Sequence, residues 1–363
     1  MPYPKIEPQQ VQVYPLAHRR SKSSITEVLV DPDQPPPLQP EMEALVYQAA
    51  ERIRAARERG AAVILAFGAH LVKNGLASVV IRLLEEGWIT HIAGNGACTI
   101  HDWEFAWFGK SEEDVRENVA AGCFGTWEET GRFINLAVQA NLLRGMGYGE
   151  AIGALIEEEK LFLPSSDELR ELLRSESDLA SAAADLLNTL QKFRLSAGEM
   201  CIPHPFKQYS IFGNAFRMRI PATVHPGIGY DIIYNNPYAN GAAIGRAAHL
   251  DYQVFVHSVT GLKGGVFLSV GSAIMAPQIF EKALSFANNL RRQKGQDPIT
   301  DLTIFVNDLQ PAAWDWSKGE PPKNSPDYYF RFLKSFYRME GQVFYAAGDN
   351  REFLGNLYKR LNS

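Results

Sequence analysis

Three cysteines in 363 residues, at positions 98, 123 and 201, are too few and too far apart to form a disulfide framework. No Cys-x-x-Cys pair marks a structural zinc, and the thiol usage fits a reducing compartment, so a cytoplasmic location is expected. No apolar run approaches the roughly 20 residues that cross a bilayer. The opening MPYPKIEPQQ lacks the apolar stretch of a secretory leader, and no membrane partner is expected. Positive charge is short too: 36 Lys and Arg stand against 41 Asp and Glu, a net charge of −5. Such a chain carries no global field for phosphate backbones, so no nucleic-acid partner is expected. Also missing are G-x-G-x-x-G, the P-loop pattern, H-E-x-x-H, any H-x-H, and any repeat of 20–50 residues. What is present is an ordinary globular composition, 46% hydrophobic and 21% charged. A core of that size is stable without staples.

Residues 1–40 are Pro-rich and end in DPDQPPPLQP, which predicts an extended arm rather than a helix or a central strand. The HRRSKSS stretch at 18–24 reads as a solvated basic loop or as a phosphate- or subunit-touching arm. Helical spacing runs from Met42 to Gly60, followed by AAVILAFG (61–68) as a buried strand, a helix over 72–87, and WITHIAGNG (88–96) as a second strand. That strand-helix-strand unit with short loops predicts a parallel α/β sheet. Strand character returns at 219–225, 264–271, 302–307 and 342–348, with helical segments between. Residues 149–200 are charged, Ala-rich and helical, and predict an inserted helical segment. The expected architecture is a three-layer α/β fold with a mostly parallel sheet: an arm over 1–40 and one α/β domain over 41–363 carrying the insert. The aromatic-rich stretch 314–330 reads as a long surface loop, a lid or a subunit contact.

Four stretches place small and polar residues at strand ends, where ligands of open α/β sheets bind. In FGAHLVKNG (67–75), Gly68 and Ala69 let backbone approach a ligand, and His70, Lys73, Asn74 and Gly75 supply a tight polar turn. In AGNGACTIHDWE (93–104), Asn95 and Gly96 make the turn, and His101 and Asp102 follow on a helix. There Asp102 either caps backbone N–H groups or accepts from a ribose hydroxyl, and His101 is a candidate general base. IPATVHPGIGYDIIY (220–234) brings His225 and Asp231 to a strand end. GGVFLSVGSAIMAP (264–277) turns into a helix through Gly271 and Ser272, a good anion or dinucleotide ledge. His91 lies inside an apolar strand and reads as a satisfied core residue.

The order of these motifs resembles deoxyhypusine synthase and its wider NAD-binding superfamily, discontinuously over about 61–108 and 219–290. The resemblance implies a Rossmann-like fold, NAD as cofactor, and a homotetramer. It implies cofactor contacts from Gly68, Ala69, His70, Asn74, Gly75, Asn95, Gly96, Asp102, Asp231, Gly271 and Ser272. The family's imine-forming lysine falls on Met275, and a thioether cannot form a Schiff base. The expectation is therefore an NAD-dependent enzyme on a small polar substrate, amine- or amino-acid-like, without lysine chemistry. His101, His225 and Lys73 are its candidate catalytic residues. Two alternatives stay open: a metal-dependent hydrolase or lyase using His101, Asp102 and His225, and a non-catalytic nucleotide- or ligand-binding protein.

Overall fold

The fold is taken from a computed structural model that describes residues 3–363 except Glu176, Ala313 and Asp315. Met1 and Pro2 of the arm, Glu176 of the insert and Asp315 of the aromatic loop therefore lie outside the described residues. The chain forms two compact units, each discontinuous in sequence. One comprises 28–98, 218–225 and 252–363; the other comprises 1–27, 99–217 and 226–251. Residues 1–27 and 28–40 belong to different units, and the helical insert is part of the second unit.

The first unit holds a six-stranded sheet: β1 (Val63–Phe67), β2 (His91–Gly94), β3 (Ala222–Val224), β4 (Gly265–Val270), β5 (Leu302–Asp308) and β6 (Gln342–Ala347). Every neighbouring pair is parallel, and the order across the sheet is 3-2-1-4-5-6. That is the doubly wound order of dinucleotide-binding sheets. β1 to β5 are buried along nearly their whole length because both faces are covered, as parallel sheets require, whereas the edge strand β6 is mostly half-buried. The helices that matter here are α1 (Pro40–Glu58), α2 (Ala77–Glu85), α3 (Gly96–Phe108), α4 (Gly241–Thr260), α5 (Met275–Gln293) and α6 (Asn350–Leu361). On one face Ile64, Ala66, Phe267, Ile304 and Val306 pack against Phe255 and Val259 of α4, Phe280 of α5 and Phe336 of the helix Arg331–Tyr337. On the other, α1 packs on β4 and β6, and α6 packs on α1 and α2. Those are the three layers the sequence predicts. Residues 28–40 run along this unit: Val30 N–H donates to Gly75 O, and Gln39 N–H donates to the Glu352 carboxylate.

The second unit is helical, with Glu128–Asn141, Tyr148–Glu158, Ser166–Arg174, Ala180–Phe193 and Ile211–Met218. The Ser165 capping box with Glu168 starts one of these helices as the sequence signature requires. Two antiparallel pairs went unread in the sequence: Lys160–Leu163 with Gly198–Cys201, and Ser23–Ser24 with Lys110–Ser111. Both are too short for a period-two pattern to stand out.

Candidate functional site

β1 and β4 are neighbours, but the chain leaves their carboxyl ends toward opposite edges of the sheet. A crevice at such a switch point is where open α/β sheets take their ligands. Gly68 follows β1, and its N–H donates to Val270 O at 3.1 Å. Its backbone is ordinary extended chain, so conformation does not require glycine there. Proximity does: a Cβ at this position would fall inside contact distance of the Gly271 carbonyl oxygen. Gly271 itself is left-handed, with φ +58, a region that glycine enters without a side-chain penalty. Its N–H donates to Asn307 O at 2.9 Å, extending the ladder to β5. Ser272 is buried, and its Oγ accepts from Ala276 N–H in the first turn of α5. Met275, the lysine position of the resemblance, is buried at the start of that helix.

β5 ends on Asp308, half-buried, with Oδ1 accepting from Gln310 N–H at 3.2 Å. The turns that follow β4 and β5 expose two apolar side chains, Ile274 (71%) and Leu309 (76%). Asn307, 1% exposed, donates from Nδ2 to Ala346 O and Gly348 O. Its Oδ1 is buried with no hydrogen-bond partner among the described residues, an uncommon state for a buried amide.

The remaining expected residues of this unit divide by role. His70 is exposed and Lys73 half-buried, on the five-residue helix Ala69–Lys73. Asn74 donates from Nδ2 to Asn350 Oδ1 at 2.9 Å, tying the first turn to α6. Gly75, with φ +76, has the Val28 carbonyl where a Cβ would stand, so its smallness serves the passing backbone of residues 28–30 rather than a ligand. Asn95 closes the corner between β2 and α3, its Oδ1 accepting from Cys98 N–H at 3.1 Å and facing Cys98 Sγ at 3.0 Å. Gly96 opens the helix. His225 follows β3, and its N–H donates to Gly94 O. Its Nε2 lies 3.1 Å from Thr223 Oγ1, which also lies 2.9 Å from His91 Nε2. Burial pushes the pKa of His225 and of His91 down to about 3, so both imidazoles are neutral at pH 7.

In the other unit, Asp102 is 1% exposed. It accepts from Ser210 Oγ, Ile211 N–H and Phe212 N–H, at the start of the helix Ile211–Met218. Burial raises its pKa to about 6 against the lowering pull of those bonds. Of the two roles the sequence leaves open for Asp102, these bonds are those of the helix cap: a carboxylate enclosed by three donors of its own unit. Asp231 likewise closes its own turn, accepting from Gly227 N–H at 2.7 Å, and is 6% exposed. His101 is half-buried, with Nδ1 2.7 Å from Ser111 Oγ. Ser111 Oγ donates to Glu104, which also accepts from Thr130 and from both terminal nitrogens of Arg19. Arg19 of the HRRSKSS stretch is therefore buried and paired, not solvated. Among the described residues no group of three or more His, Cys, Asp or Glu could hold a metal.

Sequence reasoning missed Asn307, Asp308, Thr223, Glu104 and Ser111. The signal for the first two was available: LTIFVND ends a buried strand on two polar residues. The others are polar only in the company of distant partners, which no local pattern records.

No protein-family model and no curated protein matches the chain. Among solved structures it is similar to AgrE in ternary complex with ornithine and NAD+ (TM-score 0.42, 14% identity, 89% of this chain and 33% of that one). It is also similar to ArgZ, an arginine dihydrolase from the ornithine–ammonia cycle in cyanobacteria (TM-score 0.41, 14% identity, 88% and 32%). A third is a conserved protein assigned to LOR/SDH from Methanococcus maripaludis S2 (TM-score 0.41, 14% identity, 91% and 73%). The chain spans about a third of the length of AgrE and ArgZ. No helix among the described residues is long and apolar enough to cross a membrane.

Proposed function

We propose that the parallel-sheet unit binds a dinucleotide of the NAD type at the β1–β4 switch point, and that the protein is an enzyme acting on a small polar substrate, amine- or amino-acid-like. The observation that carries this reading is the backbone approach of Gly68 to Gly271 in a sheet of order 3-2-1-4-5-6. The residues present fit such a group. The turn at Gly271 leads into α5, whose N-terminal positive dipole end suits a pyrophosphate. Asp308, at the end of the strand after the glycine turn, suits a ribose diol, the position in which dinucleotide folds carry an acid. Exposed Ile274 and Leu309 flank it with apolar surface suited to a base.

When bound, the cofactor supplies hydride acceptance or donation. This chain's part is to orient, to exclude water and to move a proton. His225 is a candidate for proton transfer, since its imidazole follows β3 at the carboxyl edge of this sheet. Lys73 is a candidate substrate or phosphate contact on the first turn. Met275 removes lysine-imine chemistry from the reading. A homo-oligomer, the tetramer of the resemblance, is part of the proposal and is tested by light scattering on the purified chain.

Thermal melting with millimolar NAD, NADH and NADP tests the reading. A ligand at 100 times its Kd adds about 2.7 kcal/mol of stability. A rise with NAD or NADH is expected, and no shift with any of the three overturns the proposal. Binding without turnover across an amine and amino-acid panel would assign the chain to the non-catalytic alternative.

A further inference from the structure

Four side chains of the parallel-sheet unit form one hydrogen-bonded line. Ser258 of α4 lies 2.8 Å from His91 Nδ1, and His91 Nε2 lies 2.9 Å from Thr223 Oγ1. Thr223 Oγ1 then lies 3.1 Å from His225 Nε2. His91 and Thr223 are buried, whereas Ser258 is half-buried. The line runs along one face of the sheet. His91 opens β2, and His225 is level with the last residue of β2 through its N–H bond to Gly94 O. Three residues of strand make that about 10 Å. Phe255 sets a ring edge-on against both imidazoles, at 5.5 Å and 5.2 Å. It leaves them little freedom to turn off the line.

We propose that Ser258, His91 and Thr223 are a proton relay that sets the tautomer of His225 and carries its proton between the carboxyl edge and the α4 side of the sheet. A threonine hydroxyl has one proton, and each neutral imidazole has one N–H. The line therefore has two polarities. In one, His225 Nε2–H donates to Thr223, Thr223 donates to His91 Nε2, and His91 Nδ1–H donates to Ser258. His225 Nδ1 is then a lone pair, a base. In the other every bond is reversed, and His225 Nδ1–H is an acid. When His225 Nδ1 takes a proton from substrate, Nε2 gives its proton to Thr223, Thr223 gives one to His91 Nε2, and His91 Nδ1 gives one to Ser258. Ser258 releases one to solvent. One proton enters and one leaves, and no imidazolium persists. Burial makes that useful, because it strongly disfavours the charged ring at both histidines.

The inference rests on the reading of the carboxyl edge as the ligand site. Its test uses the full chain without ligand, so failure of the relay and failure of NAD binding are told apart. The experiment is long-range proton–nitrogen correlation on 15N-histidine-labelled protein, in wild type, S258A, T223V and T223S. The expected wild type has both imidazoles neutral at pH 7, with their protons pointing the same way along the line. In S258A the His225 nitrogens shift toward the other tautomer, although the two residues do not touch. T223V removes that response, and T223S, which keeps the hydroxyl, retains it. Both histidines donating Nε2–H to Thr223 in the wild type, or His225 nitrogens unmoved by S258A, would overturn the relay. Should S258A fail to fold, the wild-type polarity and the T223V/T223S pair still decide the question.

Discussion

Lowering the pH from 7 to 5 perturbs the parallel-sheet unit through two residues, His91 and His225. Both are held neutral by burial, with pKa pushed down to about 3. In the unfolded chain each titrates near its ordinary value of 6.5. Between those values the unfolded state binds more protons than the folded one, so stability rises with pH. The stabilisation is complete above about pH 6.5 and is lost as pH falls toward 3. Two protons at about 1.4 kcal/mol each make a slope of about 2.7 kcal/mol per pH unit near pH 5. From 7 to 5 the loss is about 4 kcal/mol, a large share of an ordinary domain's stability. Glu320 and Asp349 of the same unit are held below the usual carboxylate range by Arg338 and Arg351, so they add nothing in this window. The other unit behaves differently. His204, pushed down to about 4 by burial, has the histidine sign, whereas Asp102, raised to about 6, loses its contribution as pH rises. These two nearly cancel between pH 4 and 6. Native-state hydrogen exchange read by mass spectrometry, corrected for intrinsic rates, separates the units. Opening free energies of peptides from β1, β2 and β4 should fall steeply from pH 6.5 to 5, and H91F should halve the slope. A flat profile in the sheet peptides, or a slope unchanged in H91F, would refute the reasoning.

Gly68→Ala should cost about 3 kcal/mol, because a methyl there meets the Gly271 backbone and β1 and β4 must part. Chemical unfolding and the NAD-induced melting shift both read it, and a stable variant that still binds NAD would show the approach to be dispensable. Asp308→Asn should weaken NAD by about 10-fold or more and shrink its advantage over NADP, measured by titration calorimetry. An unchanged NAD/NADP ratio would remove Asp308 from the ribose. Arg19→Met should destabilise the helical unit by about 3–5 kcal/mol, since Glu104 would keep a buried charge without its partner. A loss under about 1 kcal/mol in urea unfolding would place that pair among weak surface bridges.

Much of this protein is legible in its residues alone. Short apolar runs and helical periodicity locate all six strands of the sheet and the helices between them, because burial of β1 to β5 leaves a local mark on each. The glycine turns at 68 and 271 and the missing lysine at 275 are equally local. Tertiary structure alone decided what the polar residues do. Asp102 is open to a capping or a ribose role until its three donors from residues 210–212 arrive, and Arg19 to a solvated or a contacting one until Glu104 encloses it. Asp308 became a candidate only when the order 3-2-1-4-5-6 set β5 beside the glycine turn. Hydrophobic burial follows short-range pattern, whereas a polar group's role depends on which distant donor or acceptor the fold brings within 3 Å of it.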